Sequence, residues 1–234
     1  MRRMFCTSCL FLLFALATGH SAAAENTHAG ANPATLKVVM DDNYPPYVFR
    51  DSGGVLTGYL VDIWKLWEEK TGVHVDLIAT DWEKAQQLMD DGKADVIDTV
   101  FRTPERERHL DFAPSYAEIR VPIYTHIGIG GITDLNTLHG FLVGAKAGDA
   151  CIDKLNAAGI TTLQLYNSYQ GLIQAAVAGQ VRVFCMDEPA ANYLLYRSRA
   201  EHDFHKAFTL YTGALHRAVH KGDTQTWNCC NGAF

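Results

Sequence analysis

The segment Val121-Pro122-Ile123-Tyr124-Thr125-His126-Ile127-Gly128-Ile129-Gly130-Gly131 divides the chain into two halves that repeat one pattern. Its first part is extended and β-branched and its last part is rich in glycine, which suits a crossing between domains, so a hinge is expected here. Upstream, Leu36 to Met40 is an apolar run fit for a buried strand. Leu60, Ile63, Trp64 and Trp67 fall at i, i+3, i+4 and i+7, which predicts a helix from about Tyr59 to Lys70 with Gly72 as its stop. Val73, Val75 and Leu77 alternate with polar residues as a strand would, Asp81 can cap a helix over Trp82 to Asp91, and Ala94 to Val100 reads as another strand. Downstream the alternation restarts, with strands at Phe141 to Ala145, Thr162 to Tyr166 and Val181 to Cys185. Helices are expected between and after them, over Ala150 to Ala158, Tyr169 to Ala178 and Pro189 to Arg199. Two such runs predict an α/β protein of two lobes, each a sheet flanked by helices, with a ligand cleft between them. Lobe 1 is expected over 36–122 and lobe 2 over 123–210. The chain then returns to lobe 1 over 211–234, with Tyr211 to Val219 as the second crossing.

The N-terminus reads as a secretory signal over 1–24. Arg2 and Arg3 precede an apolar run from Phe5 to Ala17, and Ala22-Ala23-Ala24 offers a cleavage site. That run is shorter than the ~20 residues a spanning helix needs. Residues 25–35 are polar and small and read as a disordered leader, so a periplasmic location is expected. The whole chain has 26 acidic against 20 basic residues, and the loss of Arg2 and Arg3 leaves the rest more negative still. Nucleic acid is therefore not an expected partner.

Ligands of open α/β sheets bind beyond the C-terminal ends of the strands. That rule selects Asp41 to Pro46, Thr80 to Trp82, Asp98 to Arg106, Lys146 to Cys151 and Met186 to Glu188. A cleft between these segments would carry Asp41, Arg106, Asp149 and Asp187 with the rings of Tyr44 and Trp82. Charges and rings so placed suit a small zwitterion or an amine. With three acids around one arginine, a ligand of net positive charge is expected, provided that Asp149 faces the ligand; the other reading makes Asp149 only the cap of the helix at Ala150. No nucleophile and base stand at motif spacing, none of the 10 histidines shows zinc-ligand spacing, and neither metal, cofactor nor catalytic residues are expected.

Six patterns then occur in one order: Tyr44-Pro45-Pro46-Tyr47, Gly58-Tyr59-Leu60-Val61-Asp62, Gly92-Lys93-Ala94-Asp95-Val96-Ile97, Thr103-Pro104-Glu105-Arg106, Asp111-Phe112-Ala113-Pro114-Ser115-Tyr116 and Asp187-Glu188-Pro189-Ala190. In them the chain resembles the bacterial extracellular solute-binding proteins of family 3, the polar-amino-acid-binding type with the two-lobe periplasmic-binding-protein fold. The resemblance implies that Arg106 pairs with a ligand carboxylate, that Asp187 and Asp41 meet its ammonium, and that Tyr44 and Trp82 line the side-chain pocket. It also implies a membrane permease of an ABC transporter as partner. Asp149-Ala150 stands where the family's α-amino-acid binders usually offer hydroxyls, and Asp98 to Arg102 replaces a hydroxyl-rich strand. In these details the chain is similar to sensor versions of the domain, whose partner is a membrane signalling module such as a diguanylate cyclase. A periplasmic cyclohexadienyl dehydratase of the same fold is the enzyme alternative. Family members also continue with further helices past Lys221-Gly222-Asp223, so the C-terminal part is expected to be truncated. Cys151 and Cys185 lie near strand ends of lobe 2 and are expected to be bridged in an oxidising compartment.

Overall fold

The computed structural model describes residues 35–231; the expected signal sequence over 1–24 and all but the last residue of the expected leader over 25–35 lie outside them. The first half opens with β1 (Thr35–Asp41), followed by the small hairpin strands β2 (Asn43–Tyr44), β3 (Val48–Arg50) and β4 (Leu56–Thr57). Then come α1 (Tyr59–Thr71), β5 (His74–Thr80), α2 (Trp82–Asp90), β6 (Val96–Phe101) and β7 (Leu110–Phe112). The long strand β8 (Ala117–His126) leads to β9 (Val143–Lys146), α3 (Ala150–Ala157), β10 (Leu163–Tyr166), α4 (Tyr169–Val177), β11 (Val183–Cys185) and α5 (Glu188–Arg197). A second long strand, β12 (Phe204–His220), and α6 (Thr224–Asn231) complete the described chain.

Local chemistry accounts for these elements. Helix α1 buries Leu60, Val61, Trp64 and Trp67 on one face and stops at Gly72, whose positive φ lets its N–H reach the Glu68 carbonyl. It starts at Gly58, where a Cβ would lie 2.3 Å from the Tyr47 carbonyl oxygen, so only glycine fits. Asp81 caps α2 through Lys84 N, and Ser168 caps α4 through Gly171 N; each such cap is worth about 1 kcal/mol. Strand β6 is buried along its whole length, as expected of a strand covered on both faces.

The main sheet runs β10-β9-β11-β8-β12-β6-β1-β5, with β7 added against β12. Strands β1, β5 and β6 pair in parallel in the first half, and β9, β10 and β11 pair in parallel in the second. Residues at or after the C-terminal ends of strands from both parallel sets line one cavity, as ligand sites of such sheets do. The fold class is that expected from the sequence, but two details differ. The two sheets are one continuous hydrogen-bonded path, because β8 and β12 pair antiparallel from Ala117 with Leu215 to His126 with Phe204 and so run through both halves. Within the segment expected to hold the hinge, Val121 to His126 belong to β8. Gly128 to Gly131 follow the last pairs of β8 with β11 and β12, so the crossing is a strand and the glycines lie beyond it. The β-branched run was strong enough to carry the strand through the expected boundary.

Candidate functional site

The structure brings Asp41, Tyr44, Trp82, Arg106, Asp149 and Asp187 around one cavity of about 20 Å³, with Thr99, Phe101, Lys146, Ala150 and Tyr169 completing its wall. Asp41 ends β1 and Trp82 opens α2 in lobe 1; Lys146 ends β9, Asp149 precedes α3 and Asp187 precedes α5 in lobe 2. Each therefore arrives from the C-terminal end of a parallel strand or the start of the helix after it.

Most of the polar groups here bond across the cleft. The Lys146 ammonium donates to the Asp41 carboxylate from the opposite lobe, and both residues are buried. Burial pushes the Asp41 carboxyl up, and the Lys146 ammonium opposes that rise. The Tyr44 hydroxyl donates to Asp187 Oδ2 at 2.6 Å. Asp187 Oδ1 is also buried and has no hydrogen-bond partner among the described residues. Burial, and then the nearby charge of Asp149, raise the Asp187 carboxyl to about 7. Asp149 differs from it: one oxygen accepts from Cys151 N at 3.1 Å and caps α3, and the other accepts the Tyr169 hydroxyl at 2.5 Å. Of the two readings of Asp149 left open by the sequence, the capping one describes its bonds.

Arg106 is half-buried, and among the described residues its guanidinium donates only to neutral oxygens: Phe101 O at 2.9 Å, Gln86 Oε1 at 2.8 Å and Gly148 O at 3.2 Å. Its guanidinium lies over the Trp82 ring, 5.6 Å from the centroid. Burial lowers its pKa, against the charge of Asp149, the acid it feels most. Thr99, on the cavity wall, has a φ of 61°. It sits where the pairing of β6 with β12 slips between His216 and Ala218, so a bulge holds a non-glycine residue in a left-handed conformation at the cavity.

Gly148 is the point where the lobes lock. Its carbonyl accepts from Trp82 Nε1 at 3.0 Å, Gln86 Nε2 at 3.2 Å and Arg106 Nη2 at 3.2 Å, all from lobe 1. Its φ is +72°, and a Cβ would lie 2.4 Å from Gln86 Nε2. A β-branched residue at such a φ is a strained outlier. Gly148→Val is therefore expected to hold the lobes apart and to weaken ligand binding by about 10-fold or more, since a strain of about 2 kcal/mol exceeds one factor of ten. Calorimetric titration measures this, and unchanged affinity would remove the locking role.

Two expectations are corrected, and two residues of the site, Lys146 and Tyr169, are added. The expected balance of one basic residue against three acids becomes two against three, because Lys146 also lines the cavity, and its bond to Asp41 halves the excess of negative charge expected to favour a net cation. Lys146 lay in a selected segment, yet as the last residue of an apolar strand it gave no sign that it points into the cleft. Tyr169 read only as the start of a helix; the signal for it was the capping Ser168 beside it, which fixes where α4 begins. Cys151 and Cys185 are free thiols, fully buried, with Cys185 raised to about 11 and Cys151 also raised, both chiefly by burial. A larger hollow of about 360 Å³ also touches Arg106, Gly148 and Asp149, with apolar side chains such as Met89 and Ile152 beside the charged Asp90, Glu105 and Asp153 in its wall. The smaller cavity is nonetheless where the buried charges of both lobes converge. Among the described residues no group of three His, Cys, Asp or Glu side chains could hold a metal, and no helix is long and apolar enough to cross a membrane.

A family model for bacterial extracellular solute-binding proteins, family 3, matches residues 36–234. The chain belongs to this family. Over 114 residues it is 32% identical to a probable amino-acid ABC transporter-binding protein of Haemophilus influenzae, a match covering 45% of this chain and 44% of that relative. The aligned part thus spans less than half of that relative's length. Among solved structures, a histidine kinase sensor domain with similarity to periplasmic binding proteins superposes with a TM-score of 0.79 at 21% identity, over 85% of this chain and 88% of that one. An ancestral arginine-binding protein bound to glutamine gives a TM-score of 0.77 at 24% identity, over 86% and 90%. At such identities the two structures show that this family-3 chain has the periplasmic-binding-protein fold.

Proposed function

We propose that this protein captures a small α-amino acid between its lobes in the periplasm and delivers it to the membrane permease of an ABC importer. One observation carries the reading: the cavity holds a guanidinium bonded only to neutral oxygens, on Arg106, and a buried carboxylate oxygen without a hydrogen-bond partner among the described residues, on Asp187. A carboxylate and an ammonium on one ligand would answer both, and buried charges are stable only when so answered. Delivery to an importer is supported by the curated relative, itself a probable ABC transporter-binding protein. The cavity of about 20 Å³ is room for one water rather than for an amino acid. The lobes must therefore part to admit a ligand and close again over it, in the manner of hinge-closing receptors.

A thermal-shift screen of the exported protein against the amino acids tests the reading. A ligand present at about 100 times its Kd adds about 2.7 kcal/mol of stability. Small-angle scattering should then show a narrower spread of dimensions at saturation than without ligand. A screen in which amines or carboxylic acids stabilise the protein and amino acids do not would contradict the proposed ligand class.

A further inference from the structure

The Lys146 ammonium occupies a cage. Its Nζ lies 3.8 Å from the centroid of the Tyr169 ring, 5.4 Å from that of Tyr44 and 5.8 Å from that of Trp82, while the Asp41 carboxylate accepts its hydrogen bond. Several ring faces and one carboxylate, all desolvated, are the parts with which a protein recognises an organic cation. Lys146 is 4% exposed and Asp41 1%, so the cage is closed to solvent around a cation belonging to the protein itself. The arrangement spans the cleft, since Asp41, Tyr44 and Trp82 come from lobe 1 and Lys146 and Tyr169 from lobe 2.

We propose that Lys146 is a specificity-determining residue: its tethered ammonium fills the aromatic cage, so the site takes amino acids with small uncharged side chains and rejects those with basic ones. The inference rests on the amino-acid reading above. A tethered cation competes at the effective concentration its short chain imposes, which a free ligand at micromolar levels does not match. A guanidinium or second ammonium on the ligand would have to expel Lys146 from Asp41, or lie beside it as a like charge in a medium of low dielectric. Discrimination here comes from a built-in repulsive element, placed by one side chain on a scaffold that elsewhere accommodates other ligands. An arginine-binding protein shares this fold, so the fold itself does not dictate which side chain is accepted.

The test titrates alanine, arginine and lysine into the parent and Lys146→Ala by calorimetry, and follows thermal unfolding of both with and without n-propylamine, which supplies the missing arm of the side chain. The parent is expected to prefer alanine to arginine by about 100-fold, the scale of a misplaced like charge. In Lys146→Ala the preference should shrink by about 10-fold or more, and propylamine should raise the melting temperature of the variant and not of the parent. Should Lys146→Ala not fold, Lys146→Met keeps the apolar stem, and Asp41→Asn with Lys146→Met also removes the unpaired acid; either is read by the same titrations. A parent that binds arginine as tightly as alanine overturns the proposal while leaving an amino-acid receptor. A variant that discriminates as the parent does overturns it as well. A parent that binds no amino acid, beside a Lys146→Ala protein stabilised by propylamine, would sink the amino-acid reading and keep the cage.

Discussion

Asp187→Asn should weaken amino-acid binding by about 30-fold or more and at the same time make the ligand-free protein more stable at pH 8. The two effects have one cause. Asp187 is a buried carboxylate at the start of α5 with one oxygen bonded to the Tyr44 hydroxyl and the other without a hydrogen-bond partner among the described residues. As the proposed counter-charge of the ligand ammonium, its loss from a desolvated pair costs about 2–5 kcal/mol of binding. Without ligand the same charge is a burden, as its raised pKa of about 7 records. A carboxyl raised in the folded state contributes stability that is complete below its unfolded pKa of about 4 and is lost as pH rises through the folded value. The parent should therefore lose stability from about pH 4 to pH 8 relative to Asp187→Asn, by an amount on the order of a few kcal/mol. Burial raises Asp41 in the same direction, but it is common to both proteins and cancels in the difference. Chemical denaturation of both proteins across that range checks the sign. A difference that does not grow with pH would place the Asp187 charge in a better-solvated setting than its burial implies.

Arg106→Lys should cost about 30-fold or more in affinity although it preserves the charge. The guanidinium reaches three oxygens in three directions, on Phe101, Gln86 and Gly148, and lies over Trp82. A lysine offers a point charge on a flexible stem and cannot hold that fork or present a planar face to a carboxylate. One donor to Gly148 is lost, which weakens the lock between the lobes, and the carbonyl of Phe101 loses its side-chain partner. Titration and thermal unfolding read the two consequences separately. An affinity equal to the parent's would mean that Arg106 braces the loop without meeting the ligand.

The strand ends were legible in the sequence because their chemistry is local. Asp81 and Ser168 announce helices, Gly72 ends one, and the apolar runs at Leu36 and Val96 mark buried strands, so the loops that carry Asp41, Trp82, Arg106, Asp149 and Asp187 could be placed at one end of each sheet. Position on a strand end, together with the rule that ligands bind there, was enough to gather these five and Tyr44. Long-range facts were not legible. The bond from Lys146 to Asp41 joins residues 105 positions apart, and nothing in Val143-Gly144-Ala145-Lys146 states whether the last side chain turns in or out. The 17 residues of β12 include Gly213 and alternate polar with apolar side chains irregularly; their continuity comes from pairing with β8, β6 and β7 rather than from their own pattern. The cysteines show the same limit: proximity in the second lobe was foreseeable, whereas their state as buried thiols depends on how α3 and β11 pack.

The proposed ligand carries both charges, one for Arg106 and one for Asp187. The most direct measurement is a calorimetric titration of the exported protein with the amino acid that stabilises it most, beside its decarboxylated amine and its carboxylic acid without the amino group. The amino acid should bind at least about 100-fold more tightly than either half, because each half leaves Arg106 or Asp187 desolvated and unanswered. An amine or an acid that binds as tightly as the whole amino acid would contradict the pairing of Arg106 with Asp187 across one ligand.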